Sequence, residues 1–235
     1  MPDFVSYIKN DQYAVGCTGQ TTYVYDIAGN ELAKFRKDML YAYYPAFCPH
    51  KNIFIVKSNE GRLGVYSLDS MSLIKKVRFY PVNKATTEQG YCFSPDGEWF
   101  FNIEPGEDGL KTSLGIYDTE TFTRQRVLFW EDKRMVLEEI EYDPRKEKYY
   151  VLGYMRDPET GVASVFFVAE FTGDSLGEKA VISIDTNWFL WSIKRLEREG
   201  FTEKAKSYSS FARDKDNAID LNTIQNRKIY LSDYM

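Results

Sequence analysis

The sequence predicts an all-β fold, a β-propeller of five four-stranded blades, and three observations carry that expectation. First, 16% of the 235 residues are aromatic, and aromatic side chains suit the half-buried surface of a pleated strand. Second, an aromatic residue followed by a short turn and a strand recurs along the chain. Third, an apolar pair closed by Asp, Ser or Glu and a turn recurs between successive copies of the first pattern.

The first pattern reads Tyr7-Ile8-Lys9-Asn10-Asp11-Gln12, Phe47-Cys48-Pro49-His50-Lys51-Asn52, Phe93-Ser94-Pro95-Asp96-Gly97-Glu98 and Tyr142-Asp143-Pro144-Arg145-Lys146-Glu147, with its aromatics 40, 46 and 49 residues apart. A strand is expected after each turn, at Tyr13-Ala14-Val15, Ile53-Phe54-Ile55-Val56, Trp99-Phe100-Phe101 and Tyr149-Tyr150-Val151-Leu152. The second pattern reads Val24-Tyr25-Asp26, Val65-Tyr66-Ser67, Ile116-Tyr117-Asp118, Val168-Ala169-Glu170 and Ala218-Ile219-Asp220, at spacings of 41, 51, 52 and 50. Two landmarks in fixed order give four short strands per unit, with turn residues between them. Units of this length and strand count are the mark of propeller blades, which bury their faces by stacking on one another.

One domain over residues 1–235 is expected, with blades near 1–37, 38–83, 84–133, 134–184 and 185–235. The fifth is the least regular. Trp188 to Ile193 could form its inner strand, followed late in the unit by Lys228-Ile229-Tyr230-Leu231. Alternatively, residues 186–209 form a helical insertion, with Thr186 or Asn187 as cap, Phe189, Ile193 and Leu196 at helical spacing, and Gly200 as terminator.

Phe93-Ser94-Pro95-Asp96-Gly97 resembles the turn of TolB-like and WD-repeat propellers. Val24-Tyr25-Asp26 and Ile219-Asp220-Leu221-Asn222-Thr223 resemble the end of a WD-type repeat. The resemblance spans nearly the whole chain through short motifs, and the Gly-His and Trp-Asp dipeptides of true WD repeats are absent. It implies a WD-like propeller and, with it, a flat face offered to a protein or peptide.

Composition narrows the function classes. The net charge is −5 and the pI about 5.2, so the chain lacks the overall basic field that draws phosphate backbones or anionic lipid. Lys and Arg are scattered along the sequence, and neither nucleic acid nor membrane is an expected partner. The N-terminal Met1-Pro2-Asp3-Phe4-Val5 has no basic start or long apolar run, which argues against a signal peptide. Cys17, Cys48 and Cys92 are odd in number and sit in apolar segments, so they are expected to be reduced and buried, in a cytoplasmic setting.

Few residue types remain for chemistry. A single histidine, His50, excludes a multi-histidine metal site, and no cofactor is expected. Glu104-Pro105-Gly106-Glu107-Asp108-Gly109 lacks the alternating ligands of a calcium loop and reads as a polar hairpin tip. Exposed loops such as Glu104 to Thr112 and Arg156 to Val162 are expected to supply contacts. Two functional readings stay open. In the first, the chain is a non-enzymatic interaction or scaffold protein that binds a protein partner through a propeller face, with Tyr41, Tyr43, Tyr44 and Trp188 as binding residues. In the second, Asp3, Glu88, Glu138, Glu139 and Asp185 converge from inner strands as a glycoside hydrolase or carbohydrate-binding ring, the same aromatics stacking on sugar. Against the second stands the ordinary reading of acids near strand ends, as solvated residues.

Overall fold

The computed structural model describes residues 4–9, 12–37, 39, 45–58, 60–79, 90–105, 112–130, 132–184, 202, 218–219 and 230–235. It is all-β, with two compact units at 1–128 and 129–235. No helix among the described residues is long and apolar enough to cross a membrane.

The first unit holds three four-stranded antiparallel sheets, each a meander of consecutive strands. The first contains β1 (Phe4–Ile8), β2 (Tyr13–Thr18), β3 (Thr21–Asp26) and β4 (Glu31–Arg36). The second contains β5 (Ala46–Cys48), β6 (Ile53–Ser58), β7 (Arg62–Ser67) and β8 (Ser72–Arg78). The third contains β9 (Tyr91–Phe93), β10 (Trp99–Glu104), β11 (Ser113–Asp118) and β12 (Thr123–Phe129). All four strands expected after the landmark turns are present: β2, β6, β10 and, in the second unit, β14 (Lys148–Arg156).

The landmark turns share one backbone device. Lys9, Asn52, Gly97 and Glu147 all have positive φ in the first turn, and Gly29, Met71, Phe122 and Gly173 in the second. Most are not glycine, so each such turn carries a conformational cost that surrounding contacts must offset. Met71 and Phe122 show how. Their side chains pack into the apolar layers beneath their hairpins.

Those layers explain the uninterrupted apolar run in β6. Alternate residues face opposite sides of a strand, and in β6 both sides are covered. Phe54 and Val56 join Ile8, Val15, Cys17 and Val24 of the first sheet in one core. Ile53 and Ile55 join Phe93, Phe100, Tyr117 and Phe122 of the third sheet in another. Sheet one therefore stacks on sheet two, and sheet two on sheet three. Phe54 and Tyr66 stack at 4.9 Å between ring centroids, both fully buried, and burying a side chain of this size stabilises by about 1.5–3 kcal/mol. Cys17, Cys48 and Cys92 are buried as expected and none is in a disulfide. Burial pushes the Cys17 thiol up to about 12.

The second unit holds the longest strands, β13 (Met135–Asp143), β14, β15 (Ala163–Phe171) and β16 (Leu176–Ile184). Here the structure corrects the expected fifth unit. Ala218–Ile219 (β17) does not open an antiparallel hairpin of a separate sheet; it pairs parallel with β16, Ser183↔Ala218 and Ile184↔Ile219. Two apolar residues between Asn217 and Asp220 are too few to hold a hairpin, whereas the outer edge of β16 offers a ready ladder. Likewise Leu231 does not continue a strand. Leu231–Tyr234 is a 3₁₀ turn, closed by the Tyr230 amide donating to Asp233 Oδ2 at 3.0 Å. Apart from residue 202, the alternative helix over 186–209 lies outside the described residues.

Candidate functional site

Most of the residues singled out for function, Asp3, Tyr41, Tyr43, Tyr44, Glu88, Asp185 and Trp188, lie outside the described residues. Glu138 and Glu139 are half-buried neighbours on β13, at a bulge where the register steps from Leu137↔Gly153 to Glu139↔Leu152. One Glu139 carboxylate oxygen accepts the Ile140 amide at 3.1 Å. His50 sits in an exposed turn, and its Nε2 lies 2.7 Å from the Pro95 carbonyl, tying the landmark turns of the second and third sheets together.

The described residues gather their buried polar chemistry in two other places. The first is the layer between the second and third sheets. Period-2 alternation puts Phe100, Asn102 and Glu104 on one face of β10, with Phe100 in the shared core, and puts Lys57 beside Ile53 and Ile55 on the facing side of β6. Lys57 is fully buried; its Nζ donates to the Ile103 carbonyl at 2.6 Å and lies 5.1 Å and 5.7 Å from the rings of Phe79 and Tyr91.

Glu104 corrects the hairpin-tip reading, being only 2% exposed. Its Oε1 accepts from Asn102 Nδ2 at 3.0 Å and from the Tyr117 hydroxyl, and its Oε2 pairs with Arg124 at 2.8 Å. Space for the carboxylate exists because residue 115 has no side chain: a Cβ on Gly115 would lie 2.3 Å from Glu104 Oε1. Burial, and then the Glu104 charge, push the Tyr117 hydroxyl far above the usual phenol range. Asn102 is fully buried, with Oδ1 unmatched by any donor among the described residues.

The second place is where the C-terminus meets the fourth sheet. Asp143 is fully buried and paired with Arg145 at 2.8 Å, and it accepts from the Ser232 hydroxyl. The Arg145 guanidinium, with the Ser232 hydroxyl, holds the Asp143 carboxyl well below the usual carboxylate range. Arg145 also bonds Asp233 at 2.8 Å and covers the Tyr230 ring at 4.2 Å. Lys146 donates to the Ser232 carbonyl at 2.8 Å, and Glu141 accepts the Leu231 amide.

The loop at Arg156 to Val162, expected to be an exposed contact loop, is closed on itself. Asp157 is buried, and its Oδ1 takes the amides of Glu159 and Thr160 at 3.0 and 2.9 Å, while Arg156 Nε bonds the Gly161 carbonyl at 2.8 Å. Asp at such a turn mimics the backbone and fixes the loop. Chemically, both oxygens of Glu104 and of Asp143 are occupied by partners from the same chain. Among the described residues no group of three or more His, Cys, Asp or Glu is placed to hold a metal ion. Compared with protein-family models and with curated proteins, the chain gives no match.

Proposed function

We propose that the chain is a non-enzymatic interaction protein, a WD-like β-propeller that presents a surface to a protein partner in a reducing, cytoplasmic setting. Its blades would be the four meandering sheets, the fourth extended by Ala218–Ile219. The observation that carries the reading is how the buried charges are used. Glu104 is held by Asn102, Tyr117 and Arg124, and Asp143 by Arg145 and Ser232. Groups saturated in this way fix geometry. A general acid or base must instead reach a substrate proton within hydrogen-bond distance.

Serial stacking of the three sheets of the first unit supports the same reading, because it leaves their loops and outer strands for contacts. The test is affinity capture from source cells, reconstitution of any captured protein in purified form, and a panel of glycosides, each with wild type and Glu88→Gln. Saturable binding of a purified partner, unchanged by the substitution, is the expected result. Glycoside hydrolysis abolished by the substitution would overturn it.

A further inference from the structure

The cations of the first unit are not spread evenly over it. Its outermost strands β4, β8 and β12 together carry seven Lys and Arg against one Glu, in a chain whose totals are 30 basic and 35 acidic residues. All seven cations are exposed. Most of the described acids of this unit lie off these strands: Asp26 bonds Asn30, Asp96 bonds Ser94 and Asp118 bonds Thr121 in turns, while Glu104 is buried on β10, where it holds Arg124. Because the three sheets stack in series, their outer strands lie side by side, and Lys75 of β8 reaches the Thr121 carbonyl in the turn before β12. The result is one cationic wall.

Two apolar residues stand in this wall at equivalent positions. The β3–β4 ladder steps from Val24↔Ala33 to Tyr25↔Glu31, leaving Leu32 as the extra residue. The β7–β8 ladder steps from Val65↔Lys75 to Tyr66↔Leu73, leaving Ile74. Bulged residues are pushed out of the pairing, and Leu32 and Ile74 are 42% and 56% exposed. Stacked sheets lie about 10 Å apart, which is roughly three residues, one turn, of a polyproline II segment at about 3.1 Å each.

We propose that this wall docks an acidic segment of a partner protein in the polyproline II conformation, whose residues three positions apart share a face, with apolar residues at that spacing seated on Leu32 and Ile74 and with its carboxylates on Lys34, Arg36, Lys75, Lys76, Arg78 and Arg126. The proposal rests on the interaction reading above and names the partner's chemistry. The span from β4 to β12 is about 20 Å, matching roughly six residues of such a segment.

The probe is a fluorescent twelve-residue peptide repeating Val-Asp-Asp, tested on the whole chain by anisotropy. Controls are Val-Asn-Asn and Val-Lys-Lys repeats and a twelve-nucleotide oligo-dT. Saturable binding of the acidic peptide alone is expected, weakening steeply with salt because exposed charges are screened. Lys34→Glu with Lys76→Glu and Arg78→Glu should weaken it by about tenfold or more, since each exposed pair contributes modestly and three are reversed. Ile74→Ser should weaken it by about threefold with the salt dependence unchanged. Circular dichroism checks that each variant is folded, and Gln at the same three sites replaces Glu should the reversal variant not fold. No binding at low salt, equal binding by the reversed wall, or equal binding of the asparagine peptide or of oligo-dT would each overturn the proposal. A purified partner bound equally by wild type and the reversal variant would overturn the wall while leaving the interaction reading intact.

Discussion

Gly115→Ala is the sharpest single test of the buried layer between the second and third sheets. The added methyl would sit 2.3 Å from Oε1, 2.6 Å from Cδ and 3.0 Å from Oε2 of Glu104. Ordinary carbon contacts lie near 3.5 Å, so the carboxylate must retreat by about 1 Å. That displacement breaks its geometry with Asn102, Tyr117 and Arg124 together. Hydrogen bonds to a charged group contribute about 1.5–3 kcal/mol each. The Arg124 side chain is 44% exposed, so its share is discounted for solvent screening. A net loss of about 2–4 kcal/mol follows, or roughly 5–15 °C in melting temperature for a chain of this size. Scanning calorimetry reads it. The cause is isolated by a double-mutant cycle with Glu104→Ala, which removes the atoms the methyl would strike. The two changes should then be strongly non-additive, the methyl costing little once Glu104 is gone. A single variant melting within about 2 °C of wild type, or strict additivity in the cycle, would refute the seating of Glu104 over Gly115.

Three further outcomes are expected. Phe122→Ala should destabilise by about 3–5 kcal/mol in denaturant titration, the usual cost of truncating a buried Phe, because this 6%-exposed side chain plugs the layer from a turn residue with φ of 49°. The three thiols should react with a thiol reagent only on unfolding, Cys17 slowest, since a thiol raised to about 12 is almost entirely protonated at pH 8. Asp143 is held low in the folded state, so its carboxylate stabilises the C-terminal contact above the unfolded value of about 3.9, and that stabilisation is lost as the pH falls from there toward the folded value. Amide exchange at Leu231–Tyr234, corrected for its intrinsic pH dependence, should be level through neutral pH and accelerate below about pH 4.

The repeat was legible because apolar alternation and turn residues are local signals. Tyr7, Phe47, Phe93 and Tyr142 mark four sheets, and Ile53-Phe54-Ile55-Val56 shows a strand covered on both faces. The buried carboxylate was not legible, since Glu104-Pro105-Gly106 has the composition of a loop and two of the three side chains that hold it, Tyr117 and Arg124, are 13 and 20 residues away on other strands. One clue was present: Leu63-Gly64-Val65-Tyr66 and Leu114-Gly115-Ile116-Tyr117 are near copies. In both, the glycine leaves room for a large group, Tyr66 over Gly64 and Glu104 over Gly115. The C-terminal turn escaped for a similar reason. Ile229-Tyr230-Leu231 reads as a strand until Asp233 and the distant Glu141, Asp143 and Arg145 compete for its backbone and side chains.

The cationic wall was invisible to a reading along the sequence, because β4, β8 and β12 are separated by tens of residues that carry the balancing acids. Its meaning turns on a distinction between two uses of edge charge. An outer strand exposes unpaired backbone groups, and charged side chains and bulges protect it from pairing with other chains. Leu32 and Ile74 at bulges, and lysines on β8, fit that role. Protection, however, works by charge and shape and does not require one sign. Glu at positions 34, 76 and 78 would guard the edge about as well as Lys or Arg and would leave a chain of net charge −5 more soluble still. Edge protection alone therefore gives no reason for six cations, apart from the Arg124 that pairs with Glu104, against one anion over three strands, where each of the six also works against the sign of the rest of the molecule. A polyanionic ligand does give such a reason, because carboxylates along one extended segment are drawn only to a wall of uniform positive sign. Charge reversal separates the two: in a folded variant it leaves the edge guarded under either role, and weakens peptide binding by about tenfold or more only if the wall is a docking surface.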